Sequence, residues 1–240
     1  MRLHEQAALV TGGRQGIGRA IVDAFVSEGA DVMTCGRASR PSDLPSIVGW
    51  TQTDLANKDE IEELSFLALD RFGGLDILVN NAGVPDAQRA HKMPIELIDR
   101  VFDTNLRGPY VLSCEIARRL IERKLPGRQI NISSISASHY DGHGAALYSV
   151  TKAGIARMSE VLAVEWSRHH INVNCIAPGA FHSEMMEGML ERMGDFSGAM
   201  PRKRLGDPAQ LDSSLLYLCS PASDAVTGTI IKVDDGQSPR

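Results

Sequence analysis

Seven residues, Gly12-Gly13-Arg14-Gln15-Gly16-Ile17-Gly18, constrain this chain more than any others. They end an apolar run, Ala7–Thr11, and open a stretch with apolar residues at helical spacing (Ile17, Ile21, Ala24, Phe25) that continues to Glu28. A wholly apolar strand has no solvated face, so it belongs in a sheet whose two sides are covered by helices. The rest of the chain repeats the alternation. Gly29 stops the first helix, and residues 31–35 give a second strand. Residues 38–46, with Pro41 and Pro45, read as loop, and 48–52 as a third strand. Asn57 caps a helix from Lys58 to Phe72 whose apolar positions are Ile61, Leu64, Leu67 and Leu69. Further strands are expected over 77–79, 129–133, 171–175 and 229–233. Between them lie helices over 94–123, broken near 105–109, and over 146–169.

Strands alternating with long helices predict an α/β fold: a Rossmann-type doubly wound parallel sheet of about seven strands with helices on both faces. No repeat, low-complexity tract or linker interrupts residues 1–240, which are expected to form one domain. The 25 basic and 30 acidic residues leave a net charge of −5, which argues against non-specific nucleic-acid binding. Cys35, Cys114, Cys175 and Cys219 are far apart, with no CxxC pair and no partnering histidine cluster. They read as free thiols of a reducing compartment, with no metal site and no disulfide frame. The absence of a signal-like apolar segment or a membrane-length run leads to the expectation of a cytoplasmic protein without membrane contact.

Two stretches carry chemistry. In the glycine segment, Gly12 allows a tight turn and Gly16 lets the backbone approach a pyrophosphate. Gly18 lets the helix pack closely, leaving free N–H groups aimed at an anion. The spacing is G-x-x-x-G-x-G rather than the commoner G-x-G-x-x-G. Farther on, Tyr148 and Lys152 stand four apart on one helix face. An ammonium beside a phenol favours the phenolate and should draw the tyrosine pKa down from about 10. Tyr148 is therefore a candidate general acid/base, with Ser133 and Ser134 upstream as candidates to hold a carbonyl oxygen.

Taken in order, Thr11-Gly12-x-x-x-Gly16-Ile17-Gly18, Asn80-Asn81-Ala82-Gly83, Asn105, Ser134, Tyr148-x-x-x-Lys152 and Pro178-Gly179 resemble the short-chain dehydrogenases/reductases over essentially the whole chain. The resemblance implies an oxidoreductase that moves a hydride between a nicotinamide dinucleotide and a carbonyl or secondary alcohol. It implies that Tyr148 exchanges the proton and that Ser134, rather than Ser133, donates to the substrate oxygen. Lys152 would lower the tyrosine pKa and hold ribose hydroxyls, and Asn105 would hold a water relaying protons toward Lys152. Gly12, Arg14, Gln15, Gly16, Ile17, Gly18, Asn81, Ala82 and Gly83 would line the dinucleotide. Asp54 and Leu55 would contact adenine, with a helix-entry role the alternative for Asp54. Pro178, Gly179, Phe181 and Ser183 would border the nicotinamide.

Gly36 stands where the NAD-type members carry an acid, and Arg37 follows it. A guanidinium can fork onto a 2′-phosphate, with Arg14 adding charge, so NADP(H) is favoured and NAD(H) remains the alternative. Gln15 departs from the basic residue common there in NADP-type members. Residues 184–200, with Met185, Met186, Met189, Leu190, Met193, Phe196 and Met200, correspond to the family's substrate lid, although methionines at this spacing also suit core or subunit contact. The loop carrying His139, Tyr140, Asp141 and His143 reads as solvated or substrate-touching. The 3-oxoacyl-[acyl-carrier-protein] reductases of the family use basic residues where Leu125 and His169 stand here, with Lys124, Arg128 and Arg168 nearby. Asp235 occupies a usual glycine position. Family members associate as tetramers, so a homotetramer is expected, and Ile116, Leu120, Val161 and Val164 are compatible with buried helix faces. The rival readings are an NAD(H)-dependent alcohol or sugar dehydrogenase and a non-catalytic dinucleotide-binding regulator.

Overall fold

The computed structural model of the chain describes residues 1–140, 142 and 144–238. Its centre is a parallel sheet of seven strands: β1 (Ala7–Thr11), β2 (Asp31–Gly36), β3 (Gly49–Gln52), β4 (Ile77–Asn80), β5 (Gly127–Ile132), β6 (Ile171–Pro178) and β7 (Ile230–Val233). They lie side by side in the order β3-β2-β1-β4-β5-β6-β7. Chain direction across the sheet therefore reverses between β1 and β4, and the loops leaving these two strands diverge. That divergence opens a crevice at the carboxyl ends of the strands, where ligands bind in sheets of this kind.

Successive residues of β1 serve opposite faces, as the two-residue period of a strand requires. Leu9 joins Leu78, Ile61, Leu64, Ile116 and Leu120 on the side covered by α2 (Lys58–Phe72), α4 (Gly108–Arg123) and α5 (Ala146–Trp166). Val10 joins Val79, Ile130, Ile21 and Phe25 on the side covered by α1 (Gly16–Ser27) and α7 (Asp212–Cys219). Each such side chain contributes roughly 1.5–3 kcal/mol on burial. Phe25, wholly buried, is the α1 residue whose truncation to alanine would cost most, about 3–5 kcal/mol.

Local chemistry explains the element ends. Asn57 accepts a hydrogen bond from the Asp59 N–H at 3.0 Å, Asp59 and Glu60 sit in the first turn of α2, and Gly73 ends it at φ +69°. The expected break in the long helix is a π-helical segment, Asp103–Arg107, between α3 (Ile95–Phe102) and α4. It accommodates Gly108, where a Cβ would lie 2.4 Å from the Leu55 carbonyl oxygen.

One element goes beyond the sequence expectations and one expectation is corrected. α7 is not expected from the sequence: it is only eight residues long, and its buried Leu215, Leu216, Leu218 and Cys219 leave just Ser213 and Tyr217 exposed, too few to reveal a period. Val161 and Val164 are 39% and 77% exposed, unlike the buried Ile116 and Leu120, because they lie on the side of α5 turned away from the sheet. β7, an edge strand, leaves Ile230 exposed as well. No helix among the described residues is long and apolar enough to cross a membrane. The four cysteines are free, and all but Cys114 are buried.

Candidate active site

The loops after β1 and β4 are stapled together by Thr11. Its buried hydroxyl accepts from the Asn81 N–H at 3.0 Å and the Ala82 N–H at 3.1 Å, and the Asn81 side-chain amide donates to the Thr11 carbonyl at 2.9 Å. Thr11 is a structural residue whose role the sequence pattern did not reveal. Gly18, in the first turn of α1, packs against this staple: a Cβ there would stand 2.2 Å from the Gly12 carbonyl oxygen and 2.4 Å from the Asn81 amide nitrogen. Gly16 lies at φ +54°, a conformation that favours glycine. α1 has no side-chain cap and no acid in its first turn, so its leading N–H groups are available to an anion.

These loops form one end of a cavity of about 880 Å³. Gly12, Arg14, Gln15, Gly16, Ile17, Gly18, Arg37, Asp54, Leu55, Asn81, Ala82 and Gly83 line it, as do Ser134, Tyr148, Lys152, Pro178, Gly179, Phe181 and Ser183. Asn105, among the catalytic candidates, lies just behind this lining. It is buried, and its amide grips the backbone of Val84 at both ends, accepting from its N–H at 2.8 Å and donating to its carbonyl at 2.9 Å. The side chain thus fixes the loop after β4 beside Gly83, where a Cβ would lie 3.4 Å from Asn105 Oδ1 and 3.7 Å from Lys152 Nζ.

The two serines have different surroundings. Ser133 is buried and donates to the Lys152 carbonyl at 2.7 Å. Ser134 is half-buried, shares a hydrogen bond with the Ser136 hydroxyl at 2.8 Å and lies close enough to the Tyr148 phenol for its hydroxyl to favour the phenolate. Lys152 is buried with its Nζ donating to the Ile132 carbonyl at 2.7 Å and standing 5.6 Å from the centre of the Tyr148 ring.

The expected electrostatics of this pair need correcting. Burial pushes the Tyr148 phenol up to about 12, the Ser134 hydrogen bond pulls the other way, and the Asp86 charge adds to the rise. Burial also lowers Lys152 to about 8, with Cys175 opposing. The ammonium lies over the face of the ring and spends a hydrogen bond on Ile132, so desolvation of the phenol prevails.

At the dinucleotide end, Gly36 faces the indole of Trp50, where a Cβ would meet ring carbon at 3.0 Å, so a larger side chain would displace the ring. Arg37 lines the cavity and forms no ion pair among the described residues. Asp54 Oδ1 accepts from the Ala56 N–H at 3.0 Å, so it does shape the approach to α2 while also lining the cavity. Phe181 is buried with its ring against Gly206. Ser183 caps α6 (Glu184–Met193), its hydroxyl accepting from the Met186 N–H at 3.2 Å. Gln237, unannounced by any motif, accepts from the Ala180 N–H at 2.7 Å.

The opposite wall is α6 and its following loop: Met185, Met186, Met189, Phe196 and Met200 line the cavity, whereas Met193 is exposed. The Gln15 amide donates to the Glu184 carboxylate, joining this wall to the glycine segment. His139 and Tyr140 also line the cavity, while Asp141 and His143 lie outside the described residues. Asp235 is at φ +50°, the conformation that explains a glycine preference, and its carboxylate pairs with Arg204 at 2.8 Å.

A family model described as Enoyl-(Acyl carrier protein) reductase matches residues 12–238. A tropinone reductase homolog of Arabidopsis thaliana is 33% identical over 96% of this chain and 91% of its own length. The structure of an actinorhodin polyketide ketoreductase with NADPH superimposes with a TM-score of 0.91 at 28% identity, covering 98% of each chain. A 3-ketoacyl-(acyl-carrier-protein) reductase from Brucella melitensis, complexed with NADH, gives 0.90 at 26% identity over 99% of this chain and 100% of its own.

Proposed function

The chain belongs to the short-chain dehydrogenase/reductase family of oxidoreductases, and on that premise we propose that it transfers a hydride between NADP(H) and a carbonyl or secondary alcohol, with Tyr148 as general acid/base. The observation that carries this reading is the convergence of the Tyr148 phenol, the Ser134 hydroxyl and the Lys152 ammonium on a cavity whose far end is the glycine segment.

The residues fit a dinucleotide. Uncapped N–H groups of α1 suit a pyrophosphate, the space beside Gly18 admits no side chain, and Arg37, which forms no ion pair among the described residues, suits a 2′-phosphate together with Arg14. When bound, the nicotinamide supplies the hydride. Ser134 donates a hydrogen bond to the substrate oxygen, Tyr148 gives that oxygen its proton and is left as the phenolate, and Lys152 engages ribose hydroxyls while its ammonium offsets that negative charge until a proton from solvent restores the phenol. Asn105 acts as a positioning residue through Val84. A phenol near 12 keeps its proton at neutral pH, which suits an acid in carbonyl reduction. As a base at pH 7 it would first cost about 7 kcal/mol to ionise. Residues 184–200 cover the substrate, and the exposed valines of α5 and Ile230 of β7 suit subunit contact in a homotetramer.

The test is Tyr148→Phe assayed by NADPH absorbance against a panel of ketones. Turnover should fall at least about a thousandfold, the scale of a lost proton donor. The NADPH dissociation constant should stay within about twofold, since the substitution removes one hydroxyl and leaves the glycine segment unchanged. Retained turnover would remove Tyr148 from the chemistry.

A further inference from the structure

Helix α5 starts without help from its own sequence. Its N-cap is Ala145, which has no side chain to accept a hydrogen bond, and its first turn contains no acid. Tyr148 lies in that unsupported first turn, so any fraying there moves the phenol.

The missing cap comes from elsewhere. Asp86, in the loop after β4, is 2% exposed and sends one carboxylate oxygen to the start of α5. Oδ2 accepts from the Leu147 N–H at 2.8 Å and from the Tyr148 N–H at 3.0 Å. The other oxygen, Oδ1, is buried with no hydrogen-bond partner among the described residues, and the residue borders the cavity. A buried carboxylate left half-satisfied is costly unless the helix N-terminus compensates it. The loop itself is fixed: Asn105 holds Val84 two residues earlier, and Arg89 donates to the Gly142 carbonyl at 2.6 Å.

We propose that Asp86 is a positioning residue for Tyr148, capping α5 from outside the helix and setting the height and rotation of the phenol over the cavity. The inference rests on the role given to Tyr148 above. It makes the first turn of α5 part of the same unit as the loop after β4, which Asn105 grips at Val84 and from which Asp86 reaches α5. The titratable groups sharing the cavity with the phenol are Lys152 on α5 itself, Asp86 after β4, His139 and Tyr140 after β5, Glu184 and Arg192 of α6, and, toward the glycine segment, Arg14, Cys35, Arg37 and Asp54. Of these charges, Asp86 is the one that pushes the phenol's ionisation upward.

The full chain is compared with Asp86→Ala and Asp86→Asn by amide hydrogen exchange, by kcat and KM with NADPH and a ketone the parent reduces, and by the pH profile of kcat. In Asp86→Ala the Leu147 and Tyr148 amides should exchange at least about tenfold faster, the scale of a lost cap. Its kcat should fall roughly tenfold to a hundredfold with KM for NADPH within about twofold, as expected for a misplaced acid. Asp86→Asn keeps an acceptor oxygen, so it should recover most of the protection and of kcat. Having lost the charge, it should shift the alkaline limb of the profile to lower pH. Parental exchange and kcat in Asp86→Ala overturn the proposal, as do two equally impaired variants with an unmoved limb. Retained turnover in Tyr148→Phe sinks the role of Tyr148 instead, and the exchange measurement still decides whether Asp86 holds the helix.

Discussion

The two long walls of the cavity are built differently. On the strand side, Thr11, Asn81 and Gly18 lock backbone to backbone with no room for a methyl group. Across from it, α6 has no buried residue, and its first residue, Glu184, meets the glycine segment through an exposed hydrogen bond from Gln15. In the first wall a change of one carbon must move main chain. In the second it meets flexible thioethers or solvent. Close packing suits a ligand that is always the same, and a loosely packed methionine wall suits substrates of varied shape.

The contrast can be broken by experiment, beginning with Lys152, a buried charge on the strand side. Its folded pKa, about 8, lies below the ordinary 10.5 of a free lysine. Its contribution to stability is therefore present above about pH 10.5 and lost as pH falls through about 8, an effect of about 3 kcal/mol across the window. Urea unfolding at pH 7.5 and pH 10 should show the parent gaining on Lys152→Met as pH rises; a constant difference would mean that Lys152 is not desolvated.

Next in size is Gly18→Ala, which should lower stability by about 2 kcal/mol and the melting temperature by roughly 4–8 °C, with NADPH affinity falling alongside. Arg37→Ala should reduce the ratio of kcat/KM for NADPH over NADH by about tenfold or more. A parent ratio below one would give the preference to NADH. The smallest effect is the most diagnostic. Gly188 lies within α6, and a methyl group added there would meet nothing within 4 Å, so Gly188→Ala should stabilise by about 0.5–1 kcal/mol. If both glycine-to-alanine changes moved the melting temperature the same way, the two walls would not differ as described.

Much of this was legible beforehand where one physical rule acts locally. The strand–helix alternation, the Asn57 cap and the break near Asn105 all rest on neighbours in sequence. Asp86 was invisible because its partners are 61 and 62 residues away, and neither Ala145 nor the first turn of α5 advertises a missing cap. The raised phenol was invisible for another reason. A spacing of four places Lys152 and Tyr148 on one face, but says nothing of how deeply the pair is buried or that Ile132 takes the ammonium's hydrogen bond.

By itself the order of residues determined the layered architecture, the glycine turn and the candidate tyrosine, because hydrophobic period, glycine and side-chain type act over a few positions. Only the folded arrangement decided that Ser133 braces Lys152 while Ser134 meets the phenol, and that Asp86 reaches α5. Those outcomes depend on which loops leave the same end of the sheet and on how much water the assembled loops exclude.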